Sequence, residues 1–502
     1  MRLRKIGALW AIILILASCG QQPADLRIAN GDDPAVLDPL LASSAGELRI
    51  AGALYAGLTR LHPESLAPQP GLAEKFSTTA DSRTWTFKLR NDLHWSDGTP
   101  LTVNDIFHSW KRLQNPATGS PYQSWLQNAQ WESVDENTLQ ISFPNPRPQF
   151  AEQCAFPALA IAPGNLNLGT QFSGPFRLVS WHIRNRVRVI KNPNYWDAEQ
   201  VQLQSLEFLT IESQFTALNL YLAGDISYTP NVPALAVKPL LEKHADSFSP
   251  APQFATYFLR INTKTPPLDQ LEIRQALAQS IRKVHLAKAV GGGRTAANSL
   301  VPPLIPGYPS PPTLGIHSNG PIPATTGVVR PKGESLSSNR WENLRLEYLY
   351  NSSELNRDVA EVLQGEWRRF LNLDLSLSNQ EWKTFIAAQR SGEYQISRSS
   401  WIGDYLDPMS FLEIFQGNHP NNRTGWEDEQ FDALIAKAKS VSDSALRMKY
   451  LALAEQRLLE QAPIIPLFFE ASQELISPRL GGIFRNPLGY IDWGQVYWKS
   501  KP

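Results

Sequence analysis

The chain has 502 residues, with 47 Lys and Arg set against 47 Asp and Glu. Such an even balance excludes the basic face that nucleic acids or anionic surfaces require, and the length predicts two or three domains around a large buried core. Apolar residues make up an ordinary 42%, whereas 15 Trp and 39 Pro are many; flat indole rings pack cores or line clefts that stack on ligands.

The chain opens as an export signal. Basic Met1–Lys5 precedes the apolar run Ile6 to Leu16, which is too short to span a bilayer, and Leu16-Ala17-Ser18-Cys19 follows. A small-residue site ending in Cys resembles the bacterial lipobox, which implies cleavage before Cys19 and acylation of that residue. Acyl chains hold a protein to a membrane with about 0.8 kcal/mol per buried CH₂. After such cleavage Cys154 is the remaining thiol, so no intrachain disulfide forms and stability rests on the core.

Leu26–Ala29 alternates as a strand and stops at Asn30-Gly31, a turn signal. Trp85, Phe87 and Leu89 share one face of a second strand. Thr102-x-x-Asp105 predicts a capped helix through Leu113. Thr138–Phe143 and Arg186–Val189 read as further strands. Ile273, Leu277, Ile281 and Val284 predict one helix over Asp269–Val290, ended by Gly291 to Gly293. Phe431, Leu434, Ile435 and Ala438 mark another helix, and a third covers Asp443–Gln461, ahead of Pro463. Val301–Glu334 carries nine prolines and reads as a long irregular excursion. Strands mixed with helices throughout predict an α/β or α+β protein.

Catalytic constellations are missing. There is no Gly-x-Ser-x-Gly elbow and no Walker A loop, and the eight histidines include no His-x-x-x-His pair. Gly291-Gly292-Gly293-Arg294-Thr295-Ala296 loosely matches a dinucleotide fingerprint but follows a helix rather than a strand. One free thiol argues against structural zinc. Binding, with no cofactor and no metal, is the expectation.

Family-specific phrases run from about residue 26 to 490. Leu72–Phe76, Trp85–Arg90, His94–Thr102, Asp105 and Ser109-Trp110 together closely resemble the signature of the family 5 extracellular solute-binding proteins, receptors of bacterial ABC importers. Leu37-Asp38-Pro39, Gly174-Pro175-Phe176, Lys191–Asp197, Ile273–Leu277 and Ala462–Leu467 follow in family order. The resemblance implies a two-lobed, hinged, type II periplasmic-binding-protein fold with an extra domain on the N-terminal lobe. The expected limits are 1–19 for the signal, 20–48, 173–256 and 480–502 for lobe I, 49–172 for the extra domain and 257–479 for lobe II.

Within the family, Glu381–Phe385 and Arg398–Tyr405 look most like the oligopeptide-binding proteins. That resemblance implies that Asp404 pairs with a peptide's α-ammonium, a buried charge needing a carboxylate partner. It also implies pocket walls at Trp401 and Trp382, an acidic position at Asp33, a pocket tyrosine at Tyr122 and a carboxylate-binding Arg398. The strand from Tyr257 to Asn262 is expected to cross between lobes and hydrogen-bond the peptide backbone. Two departures stand out: Gln389-Arg390 lies one step out of register with a second arginine of the relatives, and Ser400 replaces a usual Gly. The implied partners are short peptides, the permease subunits of an ABC importer and the membrane through Cys19, with no nucleic acid and the protein a monomer. The alternatives are a nickel chelate, haem or cell-wall peptide on the same fold, or an extracellular hydrolase or adhesin.

Overall fold

The computed structural model describes residues 24–164, 171–309, 344–417 and 419–499. The export signal, Cys19 and all of the Pro-rich excursion beyond residue 309 lie outside the described residues.

Two six-stranded sheets divide the molecule. The first runs in the order Leu475–Ile476, Tyr228–Thr229, Leu26–Gly31, Ser205–Thr210, Arg186–Lys191 and Phe176–His182. Its strand Leu26–Gly31 is parallel to both neighbours, and its Leu26, Ile28 and Ala29 are buried between them. The second sheet is ordered Thr295–Ala296, Ile464–Ser472, Ala251–Ile261, Ile396–Ile402, Arg345–Asn351 and Asp374–Gln380. These sheets are the centres of lobe I and lobe II.

The chain crosses between lobes twice, side by side. Phe248 bridges Leu475 in lobe I, and within three residues Ala251 pairs with Ser472 in lobe II. Both crossings therefore come a few residues ahead of Tyr257 and Leu480. The alternating tail of the Ala251–Ile261 strand is already paired before its fully buried run begins at Phe254.

A four-stranded sheet, Ala73–Thr78, Thr84–Leu89, Thr138–Ser142 and Gln130–Ser133, forms the extra domain with the helix Val103–Gln114. The helix starts where the sequence places it, the Asp105 carboxylate accepting from the Thr102 N–H at 2.7 Å. Its Trp110 and the strand residues Trp85 and Phe87 close around Phe150 with ring centroids 6.0–6.2 Å apart. This aromatic core is continuous with that of lobe I, including Ile28 and Phe208. A shared close-packed core moves as one body. Gly174 sits at the seam: a Cβ there would lie 2.6 Å from the backbone of Leu54 and Tyr55, so only glycine lets the segments meet.

The predicted Asp269–Val290 helix is two helices, Leu271–Gln279 and Lys283–Val290. Arg282 interrupts it by turning to Glu366, which accepts from its guanidinium at 2.7 and 2.9 Å. The break shifts the apolar period: Ile273, Leu277 and Ile281 enter the core as expected, but in the second half Leu286 takes the buried place and Val284 is exposed. The late helices Glu429–Ser440 and Ser444–Gln461 are capped by Asp428 and Asp443.

Candidate functional site

A cavity of about 500 Å³ lies between the lobes, lined by all three units. That volume falls within the range of small-molecule and peptide sites. Lobe I contributes the end of its central strand, Ala29–Asp32, and the helix Ala45–Leu54; the extra domain contributes Tyr122, Glu152 and Phe156; lobe II contributes Trp382 and most of Arg398–Asp404.

Five of the seven expected ligand positions line it: Asp404, Trp401, Trp382, Arg398 and Tyr122. The Trp401 indole donates to the Ser410 carbonyl at 2.8 Å, which fixes its ring as a wall. Trp382 rests on Phe385 at 5.8 Å and opens its other side to the cavity. Tyr122 is buried and donates to the Ala42 carbonyl at 3.1 Å. Ser400 also lines the cavity. Gln389 does not: it is buried, donating to the Ser397 hydroxyl and the Arg398 carbonyl, and so positions the Arg398 strand from behind.

Two expectations are corrected in position. Tyr257 is in the lobe II core rather than the cavity, stacked on Phe468 at 4.7 Å and bonded to Asn356. Its strand is hydrogen-bonded on both sides along its length, so Tyr257–Asn262 has no edge to offer a peptide. Asp33 is buried and already occupied: it accepts from Lys383 Nζ at 2.9 Å, from the Arg184 N–H at 2.8 Å and from the Thr210 hydroxyl at 3.3 Å. Its neighbour Asp32 faces the cavity instead. The one-residue exchange follows from Gly31, whose positive φ of 85° rotates the chain as it leaves the strand.

Charge in the cavity is unevenly satisfied. Arg60 pairs with Asp197 at 3.1 Å and Arg294 with Glu470 at 2.7 Å. Arg398 donates to Asn356 at 3.2 Å and lies 5.4 Å over the Tyr257 ring, with no carboxylate in ion-pair distance among the described residues. Burial pushes the Asp32 carboxyl up to about 6, against the pull of Arg398. The Asp404 carboxyl makes no hydrogen bond or ion pair among the described residues, and burial together with the charge of Glu413 holds it well above the usual carboxylate range. No group of three or more His, Cys, Asp or Glu side chains suited to a metal occurs among the described residues.

The lobes touch across the cleft. Lys383 and Asp33 belong to opposite lobes, as do Glu354 and the Ser213 hydroxyl, 3.0 Å apart. Lys383→Met leaves Asp33 without its cation only when the lobes are closed. Since Lys383 is 41% exposed, the pair is worth no more than about 1 kcal/mol. Ligand dissociation is expected to quicken roughly threefold to fivefold, with association unchanged, in surface plasmon resonance.

The family model for "Bacterial extracellular solute-binding proteins, family 5 Middle" matches residues 67–423. The chain belongs to this family. The solute-binding protein is 31% identical to the periplasmic murein peptide-binding protein of Escherichia coli, covering 90% of this chain and 88% of the relative. It is 28% identical to the Escherichia coli protein named "Probable deoxycholate-binding periplasmic protein", covering 98% and 99%. The Haemophilus influenzae OppA complex with RPPGFSPFR superposes with a TM-score of 0.86 at 27% identity, over 95% of this chain and 99% of that one. The Escherichia coli murein tripeptide-binding protein also gives 0.86, at 28% identity over 96% and 99%. Its unliganded open form, compared over 94% and 97%, gives 0.62. The solute-binding protein therefore has its lobes in a closed arrangement.

Sequence reasoning missed Asp32, Glu152 and the aromatic Phe156 as cavity residues. It also missed an open sheet edge beside the cavity. Ile396–Ile402 pairs with the Arg345–Asn351 strand at Ile396 and Ser397, so from Ser399 to Ile402 one edge has no strand partner among the described residues, beside the cavity.

Proposed function

We propose that this solute-binding protein captures short peptides by their free α-amino group and delivers them to the permease subunits of an ABC importer. The single observation that carries the reading is the Asp404 carboxyl: it lines the interlobe cavity with no cation beside it among the described residues, in a closed arrangement of lobes. A buried carboxylate left alone costs several kcal/mol, and an ammonium in the ligand supplies the missing charge and donors. The peptide backbone adds to the open edge at Ser399–Ile402, where main-chain bonds are indifferent to sequence. Trp401 and Trp382 wall its side chains, and Arg398 meets a carboxylate. Support for the cargo comes from relatives whose names specify oligopeptides and murein peptides.

The anchor belongs to the same reading. Acylation at Cys19 holds the protein outside the cytoplasmic membrane, in the periplasm or on the outer face of the cell, where it works as a monomer. The limits of lobe I, the extra domain and lobe II follow the three sheets, with the hinge at the two crossings beside Phe248 and Leu475.

Native mass spectrometry of the protein lacking residues 1–19, taken straight from purification, tests the cargo. A ladder of short-peptide masses is the expected result. A haem, a metal chelate or a bile acid overturns the peptide reading and leaves the fold untouched. If the spectrum is empty, tripeptides with free and acetylated amines are added, and binding of neither refutes it.

A further inference from the structure

A buried contact joins the extra domain to lobe II beside the ligand carboxyl. Trp125, in the turn Gln123–Leu126, donates its indole N–H to Glu413 Oε1 at 3.1 Å. The Tyr405 hydroxyl donates to the same oxygen at 3.2 Å. The two rings meet edge-on with centroids 5.8 Å apart. Glu413 is 2% exposed, and Lys439 stands 3.6 Å from its second oxygen. Tyr405, the residue after Asp404, belongs to lobe II by sequence yet is buried in the continuous core of lobe I and the extra domain. On the other side, Trp125 packs against Tyr122, a cavity wall, at 5.1 Å. Cavity, Tyr122, Trp125, Glu413, Tyr405 and Asp404 thus form a closed ring around one end of the site.

We infer that Trp125 and Glu413 are positioning residues: the extra domain clamps the Asp404–Tyr405 segment when the lobes close and thereby sets how long a ligand stays enclosed. The inference rests on the peptide reading for its ligand. Its physical basis is that Trp125 and Glu413 join the extra domain, which shares its core with lobe I, to a segment of lobe II, so separating lobe II from lobe I has to break this bond. Without the Trp125 N–H, the closed form leaves the buried Glu413 Oε1 with one donor fewer, which costs that form stability. A contact that opening breaks acts on escape and not on encounter.

The experiment is Trp125→Phe in the protein lacking residues 1–19. This keeps an aromatic ring and removes the N–H. Dissociation of a free-amine tripeptide is expected to be about tenfold faster, with the association rate within twofold. Glu413→Gln, which retains an acceptor oxygen, is expected to give a smaller increase in the same direction, and it serves if Trp125→Phe fails to fold. An unchanged dissociation rate in the folded variants overturns the inference, as does a loss confined to association. If the wild type binds no peptide, the peptide reading falls and X-ray scattering of the unliganded chain decides the contact instead. A larger radius of gyration for Trp125→Phe then supports the clamp, and an identical profile overturns it.

Discussion

In Asp404→Asn, the affinity for an unmodified tripeptide is expected to fall by roughly thirty-fold to several-thousand-fold, the equivalent of about 2–5 kcal/mol for removing one member of a buried charge pair. Asparagine keeps the shape and one acceptor oxygen, so the loss measures charge rather than packing. The N-acetylated peptide lacks the ammonium and is expected to bind weakly and equally to wild type and variant. Isothermal titration calorimetry of the four combinations makes a cycle whose interaction energy belongs to the pair. Equal losses for both peptides would assign Asp404 a structural role.

The same carboxyl makes binding depend on pH. In the empty closed cavity, burial and Glu413 favour its protonated form. An ammonium requires the ionised form, so peptide uptake below that raised pKa releases a proton. Affinity is therefore expected to rise with pH until Asp404 is ionised in the empty protein, and then to level off. Buffers of different ionisation enthalpy report the released proton directly. Asp404→Asn removes the part of the slope that belongs to this carboxyl, and what remains near pH 6 belongs to Asp32.

The sequence was most readable where one local rule sufficed. The Trp85, Phe87, Leu89 alternation is one face of a strand, and Thr102 with Asp105 starts a helix, because both depend on near neighbours. Asp404 and Trp401 were reachable through the phrase Arg398–Tyr405, which places Trp401 near the end of one strand and Asp404 in the turn after it. Legibility failed where a rotation or a distant partner decides. Whether Asp32 or Asp33 faces the cavity depends on the backbone turn at Gly31, and Asp33 is claimed by Lys383, 350 positions away. Tyr257 looked like a crossing residue because nothing local shows that its strand is flanked on both sides. The Trp125–Glu413 bond, spanning 288 positions, has no signal in either segment. Residues that act across the cleft are set by closure, which is a property of the packed lobes and not of any window of sequence.

Behind the Trp401 wall, the largest stability effect is expected at Glu455. Its carboxylate is fully buried and accepts from the Leu300 and Val301 N–H groups at 2.6 and 2.8 Å and from the Tyr308 hydroxyl at 2.7 Å. These bonds tie the start of the Pro-rich excursion to the core of Phe411, Leu458 and Val301 on which Trp401 packs. Glu455→Ala orphans three donors at about 1–3 kcal/mol each, partly offset by removing a desolvated charge, for a net loss of about 3–5 kcal/mol. Urea denaturation followed by tryptophan fluorescence reads it as a lower midpoint at constant slope. Glu455→Gln separates charge from hydrogen bonding. Burial outweighs the three donors and pushes the carboxyl up to about 7 from the usual 4.5. Between those values the folded chain holds a proton that the unfolded chain has lost, so this group's contribution to stability falls as pH rises through that window and its cost is complete above it. The wild type is therefore expected to lose stability from pH 4.5 to 7 relative to Glu455→Gln, whose uncharged amide carries no such slope. Parallel pH profiles for the two proteins would mean that Glu455 remains ionised throughout, with its three donors outweighing burial.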